Sequence, residues 1–234
     1  MSNSLYCQVV NQGKRGSTKD RLDRRNRWDL TLCLGISDLT VLLKAIHHKT
    51  GLITFHGDDV VWGFGRRPSK YTVQEFLDRL LLGNIGSVRR KSEWRTVREG
   101  RAKGRLLGGN IGVLACSAGT QYLPDLTDSI MFLEAYYVTP GQCAAFFYQM
   151  KQIGIFDNVR GVIIGHVYGL QRTRKKLTQM EDVLVKVTEE NDFPILKVNE
   201  FGHECPNTVI PVGAMALLDA GALEWKILDN CVSD

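Results

Sequence analysis

Gly35-Ile36-Ser37-Asp38 stands where a run of alternating apolar residues gives way to a helical pattern. A serine on such a strand-to-helix bend is exposed, and the first N–H groups of the helix lie beside its Oγ, where they and the helix dipole stabilise an oxyanion. That is a geometry for nucleophilic attack. The same residues also suit plain helix capping, the commoner use of such a turn. The hydrolase elbow G-x-S-x-G is not met, because position 39 is Leu. Glu134 is the first charge after the apolar run IMFL, at the carboxyl end of an expected strand, where open α/β sheets place functional groups; alone it also reads as a rim carboxylate. His203 lies in FGHECPN, a turn bounded by glycine and proline, and a lone loop histidine is usually structural. The order Ser, Glu, His is what lifts all three. It is the chain order of an α/β-type hydrolytic triad, in which the acid orients the imidazole that deprotonates the hydroxyl.

Metal and nucleotide signals are weak by comparison. His203 and Cys205 have no further ligands at metal spacing, so no metal or other cofactor is expected. His47 and His48 fall on the exposed part of a helix. Gly104-Arg-Leu-Leu-Gly108-Gly109-Asn110 matches neither G-x-G-x-x-G nor a P-loop and suits a tight turn bringing two strands close.

The elements that must position these residues follow from periodicity. DLTLCLG alternates as a half-buried strand, and Leu39, Leu42, Leu43 and Ile46 repeat at helical spacing, predicting a helix from Asp38 to about Gly51. LITFHG is a second strand. Val73, Phe76, Leu77, Leu80 and Leu81 mark a helix, and the arginine-rich SVRRKSEWRTVREGRAKG shows no period and is expected to be a linker. RLLGGN and SIMFLE read as strands, Thr139-Pro140 opens a helix, and GVIIGHV suits a buried parallel strand. Thr178 with Glu181 predicts a capping box for the helix carrying Met180, Val183, Leu184 and Val187. PILKV, TVIPVGAMALL and LEWKIL complete the strands. The pattern is α/β first and mixed β later, so the expected fold class is α/β.

Composition narrows the class. The 234 residues are 44% hydrophobic and 24% charged, which suits a globular chain and excludes disordered, collagen-like or coiled-coil proteins. No apolar run reaches a membrane span and the first residues lack a signal-peptide core, so the expected compartment is the cytoplasm and no membrane partner is expected. Six cysteines without a C-x-x-C pair read as reduced thiols. Lys14 to Arg27 holds seven basic and two acidic residues and so carries the whole net charge of +5. It reads as a solvated segment with only weak, salt-sensitive affinity for nucleic acid.

GISDLTVLL, TGLITFHG, GRLLGGN, the segment with Gly119, Thr120, Tyr122, Pro124 and Asp125, IMFLE, QIGIFDNVRGVIIG and FGHECPNTVIPVG occur in this order. From about residue 34 to 228 the chain thereby resembles the LD-carboxypeptidase family, which includes muramoyltetrapeptide carboxypeptidases and microcin C immunity peptidases. The resemblance implies a metal-free serine peptidase with Ser37 as nucleophile, His203 as general base and then acid, Glu134 fixing the imidazole tautomer, and the backbone N–H of Asp38 as one oxyanion donor. It also implies a partial flavodoxin-like nucleophile domain on a parallel sheet (1–69), a linker (70–103) and a mixed β/α C-terminal domain carrying Glu134 and His203 (104–234), with a murein tetrapeptide substrate, release of a terminal D-amino acid across an L,D-amide, peptidoglycan recycling and a homodimer. The family's upstream glycine-rich turn has no counterpart in residues 1–34, which hold only Gly13 and Gly16, so weak turnover is expected. Asp58 stands where the family usually has proline after His-Gly, and Ala135 where relatives are often acidic. Two alternatives remain: a microcin-type peptidase acting on an aminoacyl or peptidyl nucleotide, with Trp94 as a stacking or simply packing residue, and a catalytically silent binding protein.

Overall fold

The computed structural model of the chain describes residues 8–9, 32–61, 63–170 and 178–232. Lys14 to Arg27 lies outside them, as does Cys7. In chain order the first elements are β1 (Gln8–Val9), β2 (Cys33–Gly35), α1 (Leu39–Thr50), β3 (Thr54–His56), α2 (Lys70–Phe76), β4 (Gly86–Ser87), β5 (Arg95–Arg98) and β6 (Arg101–Asn110). They are followed by α3 (Ile111–Cys116), β7 (Ser129–Tyr136), α4 (Pro140–Gln152), β8 (Gly161–Tyr168) and α5 (Met180–Val187). The last four are strands: β9 (Ile195–Lys197), β10 (Ile210–Val212), β11 (Met215–Asp219) and β12 (Glu224–Ile227).

These strands form two sheets, one of four strands in the order β1-β2-β3-β10 and one of eight in the order β4-β12-β11-β6-β7-β8-β9-β5. The α/β class expected from the sequence is the class observed. In the small sheet only β2 and β3 run parallel among the described strands, while β1 and β10 pair antiparallel with their neighbours, so that sheet is mixed. The large sheet has a parallel centre, β6-β7-β8-β9, flanked by antiparallel strands. β7 and β8 are buried along almost their whole length, which is why their sequences are continuous apolar runs rather than alternating ones. The core of the molecule lies on this sheet and takes in Phe147 and Met150 of α4 and Met180 and Leu184 of α5.

Residues 70–103 carry α2, the short strands β4 and β5 and the start of β6. β5 closes one edge of the large sheet by antiparallel pairing with β9. The helix predicted over Val73 to Leu81 begins as α2 and changes to a π-helical turn at Leu77–Leu81. The Thr139 capping box is present. The one predicted for Thr178 and Glu181 falls one residue later, on Gln179 and Asp182, because Glu181 is buried in an ion pair with Arg95 at 2.6 Å. The expected single strand TVIPVGAMALL breaks at Gly213, which has φ 96°, into β10 on the small sheet and β11 on the large one. A side chain at Gly213 would collide with the His47 ring; His47, expected to be exposed, is half-buried against this turn. No helix among the described residues is long and apolar enough to cross a membrane.

Candidate active site

Ser37 follows β2 in a turn that enters α1, and it is a non-glycine residue at φ 63°. A β-carbon in this left-handed region costs about 1 to 2 kcal/mol, a strain that clusters at functional sites and that aims the side chain out of the bend. Ser37 is half-buried and Asp38 exposed. The turn closes with Thr40 N–H donating to the Ser37 carbonyl at 2.9 Å. Asp38 occupies the N-cap position of α1, but its side chain makes no cap hydrogen bond. The capping explanation of G-x-S-D therefore loses its main support.

The start of α1 is docked on the end of β6. Asn110 N–H donates to Thr40 Oγ1 at 3.0 Å, and a β-carbon at Gly109 would lie 2.5 Å from Thr40 Cγ2, so only glycine permits this approach. Asn110 Oδ1 accepts from the N–H groups of Gly112 and Val113 and caps α3. GRLLGGN, expected as a tight turn bringing two strands close, is instead the latter part of the continuous strand β6, and its glycines permit close approach to the β7 backbone and to the start of α1.

Glu134 is wholly buried near the end of β7, opposite Asn110 of β6. The pairing of β7 with β8 is irregular between Leu133 and Ala135, and such irregularities re-aim side chains beside active sites. Its Oε2 lies 2.6 Å from His203 Nδ1. Burial alone would raise the carboxyl pKa, but the hydrogen bond and charge of His203, with smaller help from His56 and Asn110, hold it below the ordinary value. For His203, burial favours the neutral ring, and the Glu134 hydrogen bond and charge, joined by Asp38 and Asp58, override it and raise the pKa. Glu134 and His203 thus form a charge-assisted pair. No hydrogen bond joins Ser37 to His203 among the described residues, and such contacts often tighten only when substrate is present.

The His203 turn is built by residues to which the sequence reading gave no role. Asn207 is buried, its Oδ1 accepts from Gly202 N–H at 2.8 Å, and its amide donates to Gly202 O, Cys205 O and Asp58 Oδ1. Its place after proline in a turn was the available signal. Asp58 is half-buried, and burial pushes its pKa up to about 6 against the opposing hydrogen bond from Asn207. His56, at the end of β3, is buried edge-on to Phe132 and Phe201 with neither ring nitrogen hydrogen bonded, and burial lowers its pKa to about 4. Glu200 accepts from the N–H groups of Lys91 and Ser92, from Ser92 Oγ and from Trp94 Nε1 at 2.7 Å. That cluster ties the arginine-rich segment to the strand end just before His203.

Residues 103–218 match the LD-carboxypeptidase C-terminal domain. The chain therefore carries a domain of the LD-carboxypeptidase family. It is 27% identical over 210 residues to the Bacillus subtilis protein named "Probable murein peptide carboxypeptidase", covering 86% of this chain and 63% of that one. It is 26% identical over 230 residues to the microcin C7 self-immunity protein MccF of Escherichia coli, covering 86% and 67%. The fold is also that of the muramoyltetrapeptide carboxypeptidase from Oxalobacter formigenes, with a TM-score of 0.71 at 24% identity over 85% of this chain and 69% of that one. The chain thus spans about two thirds of the length of these LD-carboxypeptidase relatives. Trp94, considered above as a stacking or packing residue, is 5% exposed, bonded to Glu200 and packed near Trp225.

Proposed function

We propose that the chain is a serine-type LD-carboxypeptidase in which Ser37 attacks the amide carbonyl, His203 transfers the proton and Glu134 holds His203. The observation that carries this reading is the 2.6 Å Glu134–His203 hydrogen bond, together with a serine at φ 63° on the neighbouring elbow. With Nδ1–H donated to Glu134, the Nε2 lone pair is the base that accepts the Ser37 proton. The tetrahedral oxyanion would be received by the Asp38 N–H at the start of α1. Collapse expels the amine, which takes the proton back from Nε2, and water then repeats the cycle to release the acyl product.

The substrate in this reading is a murein tetrapeptide, cleaved at an L,D-amide to release a terminal D-amino acid in peptidoglycan recycling, in line with the name of the B. subtilis relative. The burial of Trp94 and its bond to Glu200 support a packing role for it rather than the stacking role of the nucleotide alternative. The reading includes a homodimer in the cytoplasm. All five described cysteines are unbridged, as a reducing compartment favours. A fluorophosphonate should label Ser37 alone, and labelling should be lost in Ser37→Ala and fall at least about 100-fold in His203→Ala. Labelled-peptide mass spectrometry, with turnover of a murein tetrapeptide against an aminoacyl-adenylate analogue, tests both parts. Modification of another serine, or labelling indifferent to His203, would overturn the triad.

A further inference from the structure

His203 is held in its ring plane by Glu134, but one in-plane hydrogen bond leaves an imidazole free to rock about that bond. The face of the ring meets Tyr136, whose centroid is 4.8 Å away at an interplanar angle of 33°. Tyr136 is in turn stacked on Tyr168 at 5.1 Å and 15°, and the two residues are register partners on β7 and β8. Tyr168 is 8% exposed, so the column rests on a buried ring. Tyr137 packs edge-on against Tyr168 and close to Tyr136, and its N–H donates to the Tyr168 carbonyl at 2.9 Å. Nothing in the triad chemistry requires these tyrosines.

We propose that Tyr136 is a positioning residue for His203: its ring, backed by Tyr168, forms a fixed wall against the imidazole face. Glu134 sets the ring's in-plane direction and Tyr136 sets its tilt, so that Nε2 keeps one direction through both proton transfers. The same contact places the imidazolium beside an electron-rich face, which favours the charged ring that forms when Ser37 gives up its proton. The work is done by the ring and not by the phenol hydroxyl. Other groups act on the His203 charge from every neighbouring element: Glu134 from β7, Asp38 from the elbow, Asp58 after β3, His56 on β3 and His166 on β8. Tyr136 differs from them in touching the face of the ring and carrying no charge.

This inference rests on the reading of His203 as the base, so its test needs a readout independent of activity. NMR titration of the His203 side chain in the full chain supplies one. In Tyr136→Ala the ratio of protonated to neutral His203 at a fixed pH should fall about two- to five-fold, the loss of one part-exposed cation–π contact. The plateau rate of Ser37 labelling by a fluorophosphonate should fall roughly ten-fold or more as the imidazole loses its tilt. Tyr136→Phe should restore both. Tyr136→Leu, which keeps side-chain bulk without a π face, should titrate like Tyr136→Ala and guards against a folding artefact. An unchanged His203 titration in both non-aromatic variants, or a Tyr136→Phe variant behaving like Tyr136→Ala, would overturn the proposal. Absence of Ser37 labelling in the unmodified chain would instead count against the peptidase reading and leave the titration result standing.

Discussion

His56 should make the fold acid-labile, and the size of the effect follows from its surroundings. The imidazole is 1% exposed, lies edge-on to Phe132 and Phe201 and has no hydrogen-bond partner at either nitrogen. Burial therefore holds it neutral, with a pKa lowered from 6.5 to about 4. A histidine depressed in the fold contributes stability in full above its unfolded pKa and loses it as pH falls toward the folded value. Between about pH 7.5 and pH 5 the linkage amounts to roughly 2 kcal/mol, approaching 3 near pH 4. His203 works in the opposite direction, since its raised pKa stabilises the fold at low pH, so the total pH slope is smaller than the His56 contribution. Comparison with His56→Phe isolates it. The larger ring in a packed site costs on the order of 1 to 3 kcal/mol, but that cost is independent of pH and cancels in the slope. Urea unfolding followed by tryptophan fluorescence at the two pH values should show the unmodified chain losing about 2 kcal/mol more than the variant. Parallel pH dependences would show that His56 ionises freely in the fold, and the burial argument would fail.

Two further outcomes follow from the same site. Asp58→Asn removes a charge that raises the His203 pKa while keeping an oxygen for the Asn207 amide, so the acid limb of the pH profile for Ser37 labelling should move to lower pH, with the plateau rate largely kept. Gly109→Ala places a methyl group about 2.5 Å from Thr40 Cγ2 at φ 131°, so it should cost roughly 2 to 4 kcal/mol in stability and slow Ser37 labelling by displacing the start of α1, while Gly141→Ala, at an open position within α4, leaves labelling unchanged and raises stability by up to about 1 kcal/mol.

The local parts of the site were readable in the sequence because local rules govern them. The period change at Gly35 marks the elbow, and IMFLE and GVIIGHV are unbroken apolar runs because their strands are covered on both faces. What the sequence did not disclose depends on partners far along the chain. The segment from Ser87 to Arg98 has no period because its conformation is dictated by Glu200 and by pairing with β9, neither of which leaves a mark on neighbouring residues. Glu181 looked like a capping residue by spacing alone, until Arg95 claimed its carboxylate. His56 read as a strand terminus, and only the packing of Phe132 and Phe201 reveals an imidazole without partners.

The small sheet carries the nucleophile elbow, yet one of its strands comes from near the other end of the chain: His56 pairs with Ile210 and Thr54 with Val212. Such distant pairing makes closure of the sheet a late and entropically expensive event in folding. Until β10 arrives, β3 presents an open edge, and an incomplete chain displays Ser37 without its imidazole. The turn bearing His203 precedes β10, so one docking event brings His203, the base in the proposed reading, to the sheet from which the Ser37 turn leaves, and closes that sheet. In the proposed reading, assembly of the reactive centre is thereby coupled to completion of the fold, and a nascent or partly unfolded chain has no competent hydrolytic centre to turn on its surroundings.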